Sequence, residues 1–271
     1  MKKLILPGCC CCILLILWLT IGSMGASQYE SASNPFTKYT NDGSCSVRPT
    51  ISGAPRSPLT PSYAETVPGS EHTRTVTLIY QKPELPNGCE ITSLAMLLAW
   101  AGYPIDKVEL SNNYLPMQEF SQSNGARLGP DPNQAFVGDP SSPNGWYCFE
   151  GPILEAANTY LFDQRSRFRA FLLSGLTQEE LERCLDDGIP LAVWVTLRYA
   201  APRYSSSFRW YLPDGTRYTP YVNLHCVVLS GWNGENYQIA DPLYGWQTIS
   251  PGAFWNIFSA MGYRAVAVLP S

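Results

Sequence analysis

Residues 81–103 read Gln81-Lys-Pro-Glu-Leu-Pro-Asn-Gly-Cys89-Glu-Ile-Thr-Ser-Leu-Ala-Met-Leu-Leu-Ala-Trp-Ala-Gly102-Tyr103. A polar, proline-broken approach ends at Asn87-Gly88, and an uninterrupted helical run begins at Cys89. Ile91, Leu94, Ala95, Leu98 and Ala101 recur at the spacing of one buried helical face. Cys89 therefore falls in the first turn, and Gly102 is placed to stop the helix. The free N–H groups and positive dipole end of a helix N-terminus favour a thiolate over a thiol. The position suits a nucleophilic cysteine and equally an ordinary core cysteine.

Outward from that stretch, the chain's 271 residues are 45% hydrophobic and 15% charged, a globular composition able to bury a core. Net charge is −4 with no dense basic stretch, which argues against nucleic acid as partner. The 16 Tyr, 10 Phe and 8 Trp either fill the core or line a peptide or glycan groove.

Lys2-Lys3 precede an uncharged run from Leu4 to Ile21, with small residues following at Gly22, Ser23, Gly25 and Ala26. Residues 1–26 have the layout of an export signal. The run of about 18 residues is also close to membrane-spanning length, so an uncleaved anchor in contact with the membrane is the rival. Either reading puts the remainder outside the cytoplasm, secreted or tethered. Residues 27–73 are rich in Ser, Pro, Thr, Asn and Gly and read as a disordered linker. His72, at its end, reads as solvated.

The domain is expected over 74–271. Val76–Tyr80 reads as a short strand, 111–147 as a long loop that could wall a cleft, and 151–161 as a helix. Thr177 and Glu180 form a capping box, with Leu176 and Leu181 as hydrophobic staple and Gly188 as left-handed cap. Ile189–Leu197, Trp210–Leu212, His225–Trp232, Tyr237–Asp241 and Tyr263–Leu269 read as strands. A helix-rich first half followed by a strand-rich second half suits an α+β fold, one sheet packing on the Cys89 helix.

A cysteine nucleophile needs a base within reach and a third group to orient that base. The chain has only His72 and His225, so His225 is the realistic base. It opens one strand of a predicted hairpin, and Asp241 ends the other. If Trp232 pairs directly with Tyr237, alternation turns Asp241 away from His225. An odd-length turn or bulge is therefore expected, at residues 233–236. The bland alternatives are a satisfied core histidine and an Asx cap on the turn Asp241-Pro242.

Leu85-Pro-Asn-Gly-Cys89-Glu-Ile-Thr-Ser-Leu-Ala-Met, His225-Cys-Val-Val-Leu-Ser-Gly-Trp and Ile239-Ala-Asp241-Pro-Leu-Tyr-Gly together resemble the papain-like cysteine peptidases. More narrowly, they resemble the family related to double-glycine, bacteriocin-leader-processing peptidases, as found in exported proteins of Gram-positive bacteria. The resemblance spans roughly 76–269. It implies a papain-like fold in which Cys89 attacks a carbonyl, His225 shuttles the proton and Asp241 holds the imidazole. It also implies that Gln81 helps bind the oxyanion beside the N–H of Cys89. Gln81 lies eight residues before Cys89, a longer interval than in papain. Its bland alternative is a surface glutamine.

With the export segment removed, Cys45, Cys89, Cys148, Cys184 and Cys226 remain; reserving Cys89 leaves four that could form up to two disulfides. No ligand pair has zinc spacing, and no cofactor is implied. The expected activity is an extracytoplasmic thiol hydrolase, a cysteine peptidase cutting a peptide or protein substrate such as one at the cell surface. Its rivals are a thiol acyltransferase or transpeptidase, and a catalytically inactive surface binding module of the same fold.

Overall fold

The computed structural model describes residues 76–271. The N-terminal apolar run, the linker, Cys45 and His72 lie outside the described residues.

Two glycines bracket the helix that opens the domain. α1 (Cys89–Ala101) starts after Gly88 and stops at Gly102, whose φ of 93° is the left-handed conformation and whose N–H reaches the carbonyls of Leu98 and Ala99. One buried face was expected. Instead every residue from Cys89 to Leu98 is buried, because other elements pack around the helix. α2 (Lys107–Tyr114) follows, its first turn held by the Asp106 carboxylate, which accepts the N–H groups of Val108 and Glu109.

The stretch read as one long loop is mostly irregular but carries four short strands, β1 (Met117–Gln118), β2 (Ser121–Ser123), β3 (Ala126–Leu128) and β4 (Phe136–Val137). β1 and β4 pair with each other. α3 (Glu150–Asp163) and β5 (Phe168–Leu172) lead to α4 (Gln178–Asp186). The capping box at α4 is complete: Thr177 caps the Glu180 N–H and Glu180 reaches back to the Thr177 N–H. β6 (Leu191–Thr196), β7 (Trp210–Tyr211), β8 (Arg217–Tyr218), β9 (Leu224–Trp232), β10 (Tyr237–Asp241), β11 (Gly245–Ile249), α5 (Pro251–Ala260) and β12 (Ala265–Pro270) complete the chain.

Six strands form an antiparallel sheet in the order β11-β10-β9-β6-β12-β5. A smaller sheet has the order β2-β3-β7-β8. Trp194, Cys226, Val228 and Val268 pack into one core with α1 and α3. Val193, Val195, Val227 and Leu229 alternate with them and are also buried, so β6 and β9 are covered on both faces. The architecture is α+β, with α1 against the sheet. Val76–Tyr80, expected as a strand, forms no ladder. It runs beside the sheet instead and is tied at its end where the Gln81 N–H donates to the Pro242 carbonyl at 2.8 Å.

Candidate active site

β9 and β10 carry the two residues whose meeting depends on register. Tyr237 pairs directly with Trp232 and Gln238 with Gly231, but Ile239 pairs with Leu229 and Ala240 with Val228. Ser230 is thus an extra residue, a bulge, and its hydroxyl donates to the Gln238 carbonyl at 3.2 Å. The bulge that alternation demands sits in β9 at Ser230, not at 233–236. The turn at 233–236 is a regular one, closed by the Asn233 side chain accepting the N–H groups of Glu235 and Asn236. Past the bulge, Asp241 comes opposite Val227 and shares the face of His225.

The result is a buried pair, His225 Nε2 to Asp241 Oδ1 at 2.9 Å. The same oxygen accepts the N–H of Leu243 at 2.7 Å and of Tyr244 at 3.0 Å. Asp241 is therefore both the Asx cap of its turn and the partner of the imidazole. An oxygen already accepting two N–H groups is an acceptor toward the ring as well, so Nε2 carries the proton and Nδ1 is left to take one. The Tyr244 ring stands edge-on to the imidazole with centroids 6.3 Å apart, and the Arg198 guanidinium lies over Tyr244 at 4.8 Å. Arg198 and Tyr199 have φ of 56° and 55°, a left-handed pair that turns the chain sharply after β6.

Cys89 begins α1, whose Ser93, one turn on, donates to the Cys226 carbonyl at 3.3 Å and docks the helix next to His225. The Cys89 thiol does not bond to His225 here; it donates to Glu90 Oε2 at 3.2 Å. Burial first, then the charge of Glu90, pushes the thiol well above its ordinary value. Glu90 is itself fully buried, its Oε1 accepting the Cys148 N–H at 3.3 Å. Burial raises its carboxyl to about 7.

Gln81 is buried beside the turn of Asp241, but its amide nitrogen is committed, donating to the carbonyls of Pro86 at 2.8 Å and Leu85 at 3.3 Å. These bonds tie Gln81 to the approach to Cys89. Cys89, Cys148 and Cys226 are free thiols. The expected disulfides therefore do not involve Cys148 or Cys226: both stand against α1 among apolar side chains, with Glu90 near.

A groove of about 720 Å³ opens between Asn87, two residues before Cys89, and Leu224, the residue before His225. Phe120, Trp146, Phe208 and Tyr221 form much of its wall, and Arg127 crosses the Phe208 ring at 4.0 Å. Part of the aromatic load thus lines a groove; Trp194, Phe254 and Phe258 fill the core.

Sequence reasoning missed Glu90, Tyr244 and Arg198. For Glu90 the signal was present, a carboxylate at the start of a strongly apolar helical run.

The family model described as "Peptidase_C39 like family" matches residues 73–266. The chain is similar to the uncharacterized protein YvpB of Bacillus subtilis (strain 168), 32% identical over 188 residues, 69% of this chain and 70% of that one. A crystal structure from Bacillus anthracis, classed as a C39-like peptidase, superposes with a TM-score of 0.62 at 30% identity, over 72% of this chain and 95% of the other. A double glycine motif protease from an AMS/PCAT transporter, in complex with its leader peptide, gives 0.43 at 18% identity, over 74% and 96%.

Proposed function

The chain belongs to the Peptidase_C39 like family, and from that premise we propose that it is an extracytoplasmic cysteine peptidase cleaving a peptide or amide bond through Cys89, His225 and Asp241. The observation that carries the reading is the buried His225–Asp241 pair at 2.9 Å beside the start of a helix whose first residue is a cysteine. His225 Nδ1 takes the thiol proton, the thiolate attacks the carbonyl, and His225⁺ returns the proton to the leaving amine. Water then releases the acyl group. The Cys89 N–H, unpaired within a helix start, is the oxyanion donor, and Gln81 supports it by holding residues 85–86. The substrate lies in the aromatic groove as an extended peptide. Export rests on Lys2-Lys3 and the apolar run after them.

A second reading is a non-catalytic binding module of the same fold. It is favoured by the Cys89 thiol bonding to Glu90 and by burial raising that thiol. Labelling of Cys89 by a thiol-directed electrophile across pH separates the two, with His225→Ala alongside. Labelling well below pH ~8.5, the ordinary thiol value, that is lost in His225→Ala supports the peptidase. Labelling like an ordinary thiol, unchanged in His225→Ala, leaves the binding module.

A further inference from the structure

Cys89 and Glu90 are consecutive, and both side chains turn inward. Glu90 is wholly buried, with one carboxylate oxygen on the Cys89 thiol at 3.2 Å and the other on the Cys148 N–H at 3.3 Å. Carboxylates in the first turn of a helix ordinarily face water, where the dipole stabilises them without desolvation. A buried one is held in place by its contacts, and here one contact is the atom proposed to react. The Cys148 end is rigid, because the Trp194 indole N–H fixes the Cys148 carbonyl at 2.9 Å.

The groups that face Glu90 are Cys89 on its own helix, Cys148 before α3 and Cys226 on β9. All are thiols. Glu150 acts on Cys148 and Cys226 from α3, and it is paired with Arg264 at 2.5 Å. Arg264 is thus matched by Glu150, and among the described residues no cation contributes to the shift of Glu90.

We infer that Glu90 is a positioning residue that gates Cys89 by its own protonation. The inference rests on Cys89 being the nucleophile. Ionised, Glu90 accepts the Sγ–H bond, keeps the thiol proton away from His225 and repels a thiolate. Neutral, Glu90 carries an O–H that donates to sulfur, so the thiol proton is released to His225 Nδ1 and the thiolate gains a donor. No atom is consumed: the carboxyl takes a proton from solvent as pH falls and returns it as pH rises. The gate opens on the acidic side.

The test is site-resolved alkylation of the full chain between pH 5 and 9, read at Cys89 by peptide mapping because other cysteines also label. One carboxyl titrating at about 7 is roughly nine-tenths neutral at pH 6 and one-tenth at pH 8. The Cys89 rate is expected to fall about tenfold across that interval. Glu90→Gln keeps an acceptor for the Cys148 N–H and a donor for sulfur, so its profile stays flat there. In His225→Ala the acidic rate is lost whichever residue stands at 90. Superposable profiles for Glu90→Gln and the natural chain, with the acidic rate still dependent on His225, overturn the gate and leave the peptidase reading standing. Ordinary-thiol labelling in every variant overturns both. Should Glu90→Gln fail to fold, the falling limb of the natural chain is compared with the titration of the buried carboxyl, followed by carbon NMR of a glutamate-labelled chain. Coincident midpoints support the gate and separated ones overturn it.

Discussion

Asp241 Oδ1 receives three donors, so the residue's service to the turn can be separated from its service to His225. Asn at 241 still offers an oxygen to the Leu243 and Tyr244 N–H groups and to the ring, whereas Ala offers nothing. Asp241→Ala is expected to destabilise the fold by about 2–3 kcal/mol, since buried donors left without acceptors cost about that much. Asp241→Asn should cost under about 1 kcal/mol, both read from urea denaturation midpoints. Acidic-side labelling of Cys89 should drop at least about tenfold in Asp241→Ala, where nothing keeps the proton on Nε2 and Nδ1 free. Equal stability of the two variants would mean that the turn, and not the carboxylate, holds this corner.

Between Gly88 and Cys89 the constraint is space. Gly88 has an ordinary φ of −102°, but a Cβ there would meet the Leu85 Cβ at 2.6 Å. Gly88→Ala must therefore displace residues 85–86 or the first turn of α1, at about 1–3 kcal/mol, and should alter the pH profile of Cys89 labelling. Thr177→Ala, at the cap of α4, should cost about 1 kcal/mol in thermal or urea unfolding and leave that profile untouched. Elements with local punctuation were readable from sequence: α1 ended by Gly102, α4 framed by Thr177, Glu180 and Gly188, and β9 and β10 by their hydrophobic runs. α2 was missed because its eight residues are mostly polar, although Asp106 is a capping residue with Glu109 three positions on, in the first turn. α5 was missed despite Pro251 in its first turn and Phe254, Ile257 and Phe258 at helical spacing. β5 and β11 exist through their partners in the sheet; Gly245 opens β11 where the Tyr80 hydroxyl would stand 2.7 Å from a Cβ. The need for a bulge followed from parity alone, but its place at Ser230 depends on which strand yields, and pairing decides that. Likewise Cys89, His225 and Asp241 were legible as residue types at telling positions, whereas Glu90 acquires its character only when packing removes it from water.

At the scale of the whole molecule, burial of Glu90 links the site to the stability of the fold. The described carboxyls held below their ordinary values, Glu84 and Asp214, lie at the surface and add little. Glu90 works in the opposite direction, titrating at about 7 in the folded chain against 4.5 unfolded. Between those values the folded state binds the proton more than the unfolded state does, so its contribution to stability declines as pH rises. Below about pH 4.5 both states are protonated and the contribution is fully present; above about 7 both are ionised and it is gone. The span corresponds to something on the order of 3 kcal/mol at 1.36 kcal/mol per pH unit. Unfolding by urea at pH 5 and pH 7.5 should accordingly show the natural chain losing stability toward neutral pH, with Glu90→Gln losing much less. A chain that unfolds at its most stable on the acidic side while Cys89 also reacts fastest there would tie both to one proton. If both chains lose stability equally, the proton is held elsewhere in the fold, and the acidic limb of Cys89 labelling must then be traced to another group.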